Sequence, residues 1–387
     1  MTESSAKTGP LNGVKVIELA GIGPGPYAGQ LLADMGADVI VIDRPGGSIV
    51  PKAIDARGKR SMILDLKNAD AVAVLLKLVE TADVLIEGLR PGVTERMGVG
   101  PDACHAINPG LIYGRMTGWG QSGPWSHTAG HDINYISMTG VLNAIGKEGQ
   151  PPVPPLNMVG DFGGGSMFLV NGILAAIIER GRTGKGNVVD AAIVDGTLSL
   201  MSFVHGMAGM GQWRTQRESN LLDGSVPFYR CYMTADGKFM AVGCIEPQFF
   251  AAMMERLPID RDAYGSQHDR TAWTKQHEML EDVFATNTRD AWEAIFAGTD
   301  ACVTPVLDYV EAASHPANAE RQAFVQDGRW LHPQIAPRLA TQALATHFDI
   351  ATKGGDYAVI LAEAGLGDDD ISQLIAAGAV VTHTERV

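Results

Sequence analysis

The stretch Val14-Lys15-Val16-Ile17-Glu18-Leu19, followed by Ala20-Gly21-Ile22-Gly23-Pro24-Gly25-Pro26, decides the fold of this chain. Its first part is a short apolar run typical of a buried strand, and its second part is a glycine-rich turn that leads into a helix ending at Gly36. Further apolar strands are predicted downstream, several of them separated by helices, at 37–42, 61–66, 83–87, 111–116 and 188–192. This alternation predicts an α/β fold with a large Rossmann-like, mostly parallel sheet covered on both faces.

The character of the chain changes after Asn220. A hairpin is predicted around Asp236-Gly237, and a helix is predicted to begin near Glu246, with Pro247 in its first turn. We therefore predict a large α/β domain over residues 1–222 and a smaller α+β domain over 223–318. The remaining segment, 319–387, is expected to pack back on the large domain.

Composition restricts the kinds of partner. Forty-four acidic residues against thirty basic ones give a net charge of −14, which argues against a nucleic-acid or membrane-surface protein. Four cysteines without CxxC or CxxH spacing predict neither a disulfide framework nor a zinc site. Met1–Pro10 has no apolar core of a signal peptide, and no apolar run in the sequence approaches membrane-spanning length, so we expect a cytoplasmic protein.

Three ionisable residues stand where a loop is predicted to meet a helix: His131, Asp161 and Glu246. Each also has an ordinary structural explanation. His131 could be a surface or capping histidine, Asp161 a helix N-cap, and Glu246 an acid at a helix start that the helix dipole favours. Together they offer a base, a second base and an orienting carboxylate. That set can take a proton from a carbon atom and return it.

An anionic ligand is the second expectation. Ligands of parallel sheets bind beyond the carboxyl ends of the strands, and Arg44, Arg90 and Arg115 fall at such ends. The glycines of 21–25 also suggest a dinucleotide site, but they form G-x-G-x-G, and prolines are expected to interrupt the helix start. A nicotinamide-dependent oxidoreductase is therefore kept only as an alternative.

Eight motifs resemble those of the α-methylacyl-CoA racemases, which have the family III CoA-transferase fold. The most specific are GHDINY at 130–135, DFGGG at 161–165 and IEPQF at 245–249. The resemblance runs from about Leu11 to Ala313. The other motifs lie at 19–26, 43–45, 88–92, 116–121 and 190–192.

The resemblance implies a site and an assembly. His131 and Asp161 would be the acid/base residues on opposite faces of the substrate α-carbon. Glu246 would pair with His131 and would come from the partner chain of an interlocked homodimer. The large domain would bind CoA, and the implied CoA contacts are Arg44, Leu64, Asp65, Leu66, Gly88, Leu89, Arg90, Arg96, Gly130, Asp132, Ile133, Asn134 and Tyr135.

The resemblance also implies an activity, the interconversion of (R)- and (S)-2-methylacyl-CoA thioesters through an enolate. No metal, flavin or nicotinamide would be needed, because CoA is part of the substrate. One alternative remains within the fold, a CoA-transferase in which Asp161 is the nucleophile. A catalytically inactive CoA-binding protein is an alternative from another class.

The sequence departs from the resemblance at two places. Cys244 stands where a small residue is expected, and we interpret it as a packing residue. Lys353-Gly354-Gly355-Asp356 replaces an expected GEHT-like segment. The final residues, Glu385-Arg386-Val387, do not form a peroxisomal signal of the S-K-L type.

Overall fold

This computed structural model describes residues 9–46 and 55–382 of the chain. Most of the predicted N-terminal tail and the residues Glu385-Arg386-Val387 lie outside the described residues. The described chain forms two compact units. The larger unit contains the residues up to Thr139, Pro155–Met201 and the residues from Gln322 onward, and the smaller unit contains Gly140–Pro154 and Ser202–Arg321. Residues 140–154 and 202–222, which the sequence assigned to the large domain, thus belong to the smaller unit.

The strands follow the predicted apolar runs to within about two residues as far as residue 192, but those after residue 320 were not predicted. In chain order they are β1 (Lys15–Leu19), β2 (Asp38–Asp43), β3 (Lys59–Leu64), β4 (Val84–Glu87), β5 (Ile112–Thr117), β6 (Asn187–Ala192), β7 (Tyr229–Met233), β8 (Phe239–Gly243), β9 (Val303–Pro305), β10 (Phe324–Asp327), β11 (Trp330–Pro333) and β12 (Val380–Val381).

The helices cover the sheets and connect their strands. They are α1 (Pro24–Asp34), α2 (Ala69–Val79), α3 (Val93–Arg96), α4 (Pro101–Ile107), α5 (Asp132–Met138), α6 (Val141–Ala144), α7 (Met167–Thr183), α8 (Ile193–Leu200), α9 (Ser202–Gly209), α10 (Pro247–Arg256), α11 (Arg261–Tyr264), α12 (Trp273–Phe284), α13 (Arg289–Phe296), α14 (Tyr309–Ser314), α15 (Pro316–Glu320), α16 (Tyr357–Glu363) and α17 (Asp368–Ala376). A π-helical segment, Met158–Ser166, directly precedes α7.

The large unit is built on a seven-stranded sheet in the order β12-β3-β2-β1-β4-β5-β6. Every neighbouring pair is parallel except β12 with β3, so the predicted mostly parallel sheet is confirmed. Successive residues of β1 face opposite sides, and both sides are buried: Val16 lies in the core under α1 and α7, and Ile17 lies in the core under α2, α16 and α17. Burial on both faces explains why the strands are continuous apolar runs.

The C-terminal part of the chain belongs to this sheet. Val380 and Val381 of β12 pair with Leu64 and Ile63 of β3, and Ile360 of α16 is buried beside them in the same core. Strand β3 therefore has a partner on each side, and the two-residue strand β12 forms this edge of the sheet.

The smaller unit has a three-stranded antiparallel sheet, β7-β8-β9, with helices packed against it. Its first two strands form the predicted hairpin, and Gly237 has the positive φ of 74° that the turn requires. Trp292, Phe284 and Tyr232 are fully buried in its core. Cys244 is also fully buried there, which agrees with its interpretation as a packing residue.

The π-helical segment and α7 form one continuous helix of 26 residues, Met158–Thr183. By length and composition alone this helix could cross a membrane, so the prediction that no segment approaches that length is wrong. Leu169 and Ile173 are fully buried in the core of the large unit, on the same side of the sheet as Val16. One face of this helix therefore packs in the core of the large unit, while Met167 and Ile178 on its other faces are exposed.

Arg115 is not the ligand-binding residue that the sequence suggested. Its Nε lies 2.9 Å from Oε1 of Glu87, which is fully buried, and its Nη1 lies 2.8 Å from Oε1 of Glu95. The guanidinium group is therefore paired with acidic side chains of the protein itself. Strand position alone could not reveal this, because the partners come from β4 and α3.

We predict that Arg115→Met lowers the free energy of unfolding by about 3–5 kcal/mol, because it removes the cation that faces the buried carboxylate of Glu87. Arg60→Met is the matched control. Its ion pair with Asp38 is partly exposed, with side-chain exposures of 21% and 29%, so we expect a loss below about 1 kcal/mol. Urea unfolding followed by circular dichroism measures both losses. Equal losses in the two variants would contradict the structural role of Arg115.

Candidate functional site

A cavity of about 690 Å³ lies in the large unit at the carboxyl ends of β1, β2, β4 and β5. The turn Leu19–Pro26 forms part of its lining, and the loops after β2, β4 and β5 form most of the remainder. This is the edge of a parallel sheet at which ligands bind. The expected location of the site is therefore occupied by a cavity of ligand size.

The prolines in the turn between β1 and α1 have a different role from the one predicted. Pro24 is the first residue of α1, so the prolines begin this helix instead of interrupting it. Proline is tolerated there because the first-turn N–H groups have no partner within the helix. Gly23 has φ of 71°, and a Cβ added to it would lie 3.3 Å from Oδ2 of Asp161. A glycine here therefore brings the backbone close to that carboxylate.

His131 is the N-cap residue of α5, which confirms its predicted place at a helix start. Its backbone N–H donates a hydrogen bond to Oδ1 of Asn134 over 3.0 Å. Its side chain is exposed and lines the cavity. The imidazole is thus accessible to a ligand.

Tyr135 holds the loop in front of His131. Its hydroxyl donates a hydrogen bond to the carbonyl of Gly130, and its ring meets that of Trp119 edge to face at a centroid distance of 4.9 Å. A Cβ at Gly118 would lie 2.0 Å from the Tyr135 ring, so a side chain there would displace it. Tyr135 also lines the cavity, as expected for a ligand contact.

Asp161 is not in a loop before a helix, as the sequence suggested, but inside the π-helical segment. The glycines around it allow this wide turn to pack closely against other helices. A Cβ at Gly160 would lie 2.3 Å from Oδ1 of Asp132, and one at Gly164 would lie 2.3 Å from Oγ1 of Thr197. Such wide turns occur often at functional sites.

The environment of Asp161 changes its acidity. Burial raises the pKa of its carboxyl group to about 6, and the negative charge of Asp132 acts in the same direction. A hydrogen bond from Asn157 and the charge of His131 lower this pKa, but by less. Oδ1 of Asp132 accepts the backbone N–H of Asp161 over 2.7 Å, so the carboxylate of Asp132 is held beside it. A group with a pKa near 6 can both accept and donate a proton at neutral pH.

Two predicted cationic contacts reach the cavity. Arg44 follows β2 and Arg90 follows β4, and both side chains are exposed and line the cavity together with Gly88 and Leu89. Among residues 9–46 and 55–382, neither arginine forms an ion pair with an acidic side chain. Their charges are thus available to an anionic ligand.

The remaining predicted contacts are not part of the lining of this cavity. Leu64 is fully buried in β3, Asp132 is buried beneath Asp161, and Asn134 caps the backbone of His131. Neighbours in sequence can point in different directions, which motif spacing alone does not show. The other predicted CoA contacts that do not line this cavity are Asp65, Leu66, Arg96 and Ile133.

Glu246 belongs to the smaller unit, whereas His131 and Asp161 belong to the larger one. It is the N-cap residue of α10 with Pro247 in the first turn, which confirms the predicted helix start. Its side chain is exposed. The pairing of Glu246 with His131 stays a prediction.

Sequence reasoning missed two residues of the site. Lys353 lines the cavity but belongs to the segment in which the resemblance was expected to fail. Asn157 lines it as well and donates to Asp161. No sequence signal could have found Asn157, because the stretch around Asp161 was predicted to be a loop and not a helical turn.

The chain belongs to CoA-transferase family III, whose model matches residues 11–351. It is 45% identical over 379 residues to the alpha-methylacyl-CoA racemase of Mus musculus, with 97% of each chain covered. It is 43% identical over 366 residues to that of Homo sapiens, covering 94% of this chain and 96% of the relative. The similarity therefore extends well beyond Ala313, where the sequence resemblance was expected to weaken.

A crystal structure of a CAIB/BAIF family protein from Brucella suis has the same fold. It superposes with a TM-score of 0.81 at 25% identity, and covers 92% of this chain and 100% of the other. The predicted α/β fold class is thereby confirmed.

We predict that Asp161 titrates near pH 6 and that Asp132→Asn lowers this pKa. The substitution removes a neighbouring negative charge but keeps an oxygen that accepts the Asp161 N–H. Asn157→Ala should raise the pKa, because a hydrogen bond to the carboxylate is lost. Asp190→Asn, on β6, is the control and should leave it unchanged. Carboxyl ¹³C NMR against pH measures all four proteins. A wild-type midpoint near 4, or an unchanged midpoint in Asp132→Asn, would contradict the assignment.

Proposed function

We propose that this protein is an isomerase that interconverts (R)- and (S)-2-methylacyl-CoA thioesters. One observation carries the proposal: His131 and Asp161 line the same cavity as the exposed cationic side chains of Arg44 and Arg90. Two proton-transferring groups of different chemistry thus share a site with groups suited to phosphate. Identity of 45% with the mouse racemase over 97% of this chain supports the same activity.

The proposed chemistry is proton transfer at the carbon next to the thioester carbonyl. One of His131 and Asp161 removes the α-proton from its face, and the other delivers a proton to the opposite face of the enolate. Inversion needs two groups, because a single base would return the proton to the face from which it came. Each such group is typically worth about 10²–10⁴-fold in rate. The pKa of about 6 for Asp161 suits it to both halves of the cycle.

The enolate also needs stabilisation, because a thioester α-proton is only weakly acidic. In this proposal the backbone N–H groups at the start of α5, near Asp132, donate to the enolate oxygen. The positive end of the helix dipole favours the same negative charge. His131 precedes these groups directly, so the base and the oxyanion donors lie side by side in the chain.

Binding would rest on local charge. Arg44 and Arg90 hold phosphates of CoA at the cavity although the whole chain carries a net charge of −14. All the proposed steps are proton transfers, so the reaction needs no metal, flavin or nicotinamide.

A CoA-transferase is the second candidate, because the chain belongs to a family of that name and Asp161 offers a carboxylate in the cavity. In that reaction the carboxylate would attack a thioester as a nucleophile. His131 favours the racemase, since acyl transfer requires no second base at a carbon acid.

The proposal is tested with one enantiomer of a 2-methylacyl-CoA in D₂O, followed by ¹H NMR at the α-position and by chiral analysis. We expect loss of the α-hydrogen signal together with inversion. Transfer of CoA to an added carboxylate without α-hydrogen exchange would instead support the transferase and rule out the racemase.

Single variants test the two-base assignment. His131→Ala and Asp161→Ala should each lose racemisation by at least about 10²-fold. Each variant should still exchange the α-hydrogen of one enantiomer, because its remaining base still reaches one face of the α-carbon. The enantiomer that exchanges in His131→Ala should be the opposite of the one that exchanges in Asp161→Ala. Affinity for CoA, measured by calorimetry, should change little. Near-normal racemisation in either variant would show that the assignment is wrong.

We also propose that the protein is an interlocked homodimer in which Glu246 of one chain pairs with His131 of the other. The surface of the smaller unit supports a partner. Helix α9 is apolar but has no buried residue, and Phe203 within it is 55% exposed. Met233 and Phe239 of the hairpin are also exposed. Exposed apolar residues of this number on one unit support an interface with a partner.

Complementation tests this pairing. His131→Ala and Glu246→Ala are each expected to be nearly inactive as homodimers. In a refolded equal mixture, half the dimers are mixed, and one site of each mixed dimer combines an intact His131 with an intact Glu246 of the other chain. We therefore expect about a quarter of wild-type activity. If both residues of a site came from one chain, mixing would restore nothing.

A further inference from the structure

Lys353 is a cationic residue of the cavity for which neither the motifs nor the proposed proton transfers provide a role. It lines the same cavity as Arg44 and Arg90. Its side chain is half-buried, and Nζ donates a hydrogen bond to the backbone carbonyl of Gly46, two residues after Arg44. Because that acceptor is neutral, the positive charge of Lys353 is not cancelled.

Two buried cations of the large unit, Lys59 and Arg57, are paired with acidic side chains. Nζ of Lys59 lies 2.7 Å from Glu18, and Nη2 of Arg57 lies 2.6 Å from Asp34. Within the described ranges, by contrast, Lys353 forms no ion pair with an aspartate or glutamate, and the same holds for Arg44 and Arg90. In a chain with a net charge of −14, these three cations concentrate positive charge around one cavity.

The backbone beside Lys353 is anchored to the middle of β3 and, through it, to the carboxyl end of β2. The N–H of Gly354 donates to Oγ of Ser61 over 2.7 Å, and this hydroxyl donates to Oδ2 of Asp43 over 2.6 Å. The carboxylate of Asp356 accepts the N–H of Ser61 over 2.8 Å. The segment on the C-terminal side of Lys353 is therefore held by buried hydrogen bonds.

Residue 354 must be a glycine in this arrangement. Gly354 has φ of 70°, and a Cβ there would lie 2.9 Å from Cδ1 of Ile63. The positive φ would strain any other residue, and a Cβ would also force the side chain of Ile63 to shift. The Lys353-Gly354 pair thus places the lysine at the cavity.

We infer that Lys353 binds a phosphate group of CoA. This inference rests on the proposed function, which supplies the CoA thioester as the ligand. CoA carries a 5′-diphosphate and a 3′-phosphate, so three anionic groups are available to Lys353, Arg44 and Arg90. A lysine ammonium binds phosphate as a point charge. The family model ends at residue 351, so Lys353 lies just beyond the part of the chain that it matches.

Such a residue acts on binding and not on the chemical step. The phosphates are remote from the α-carbon and keep the same charge throughout the reaction, so the contact is equally strong in the ground state and the transition state. Loss of such a contact raises KM and leaves kcat unchanged.

The test compares Lys353→Met, Lys353→Arg and the matched control Lys185→Met, at an exposed lysine outside the cavity lining. With a 2-methylacyl-CoA, Lys353→Met should raise KM about tenfold at constant kcat, since a hydrogen bond to a charged group is lost. Lys353→Arg keeps the charge and should stay near wild type, as should Lys185→Met. With the corresponding acyl-pantetheine, which has no phosphate, Lys353→Met and wild type should have equal KM.

A dephospho-CoA thioester identifies the phosphate. If Lys353→Met no longer raises KM for the dephospho-CoA thioester, the lysine binds the 3′-phosphate. If Lys353→Met still raises this KM, the lysine binds the diphosphate. Both outcomes support the inference. An unchanged KM for the full CoA thioester, or an equal penalty with the acyl-pantetheine, overturns it.

Calorimetry with CoA itself separates this inference from the proposed function. If the wild type does not racemise a 2-methylacyl-CoA but Lys353→Met binds CoA more weakly than the wild type, the activity is refuted and the phosphate contact is supported. Racemisation by the wild type with CoA affinity independent of Lys353 would refute the contact alone.

Discussion

The hydrogen bond from the backbone N–H of Asp161 to the carboxylate of Asp132, 2.7 Å long, is the interaction on which the site depends. It joins the π-helical segment to the first turn of α5, and these two elements carry Asp161 and His131. Gly160 is required for this approach, because a Cβ there would lie 2.3 Å from the same carboxylate oxygen. Position and acidity are thereby coupled, since the carboxylate that holds the Asp161 backbone also raises the pKa of its side chain.

The distribution of charge shows how an acidic protein can offer a site to an anion. Arg115 and Lys59 are neutralised inside the fold by Glu87 and Glu18, and they stabilise the sheet rather than a ligand. Arg44 and Arg90 stand beyond strand ends, where no acidic partner from a neighbouring strand is within reach in the described structure. Local exposure and pairing, and not net charge, decide which ligand such a surface attracts.

Much of the architecture could be predicted because its causes are local. The apolar runs of β1 to β5 are long and uninterrupted, since both faces of a parallel sheet are buried, and their predicted ends match the structure closely. The helix starts at His131 and Glu246 were also found from local signals. The prediction for Asp161 was wrong because three glycines are typical of a loop, whereas here they allow a wide helical turn to pack against α5 and α8.

By itself, the sequence determined the parallel sheet, the edge at which a ligand binds, and His131, Asp161, Arg44 and Arg90 as members of the candidate site. Periodicity and short motifs are sufficient for this, because neighbours in the chain largely decide strands, turns and helix starts. Only the tertiary structure decided that Arg115 is an internal ion-pair partner and that Asp132 adjusts the acidity of Asp161. Only the tertiary structure brought Lys353 to the cavity, across more than 300 residues of chain from Arg44. Such relations depend on distances between segments remote in sequence, and no local pattern records them.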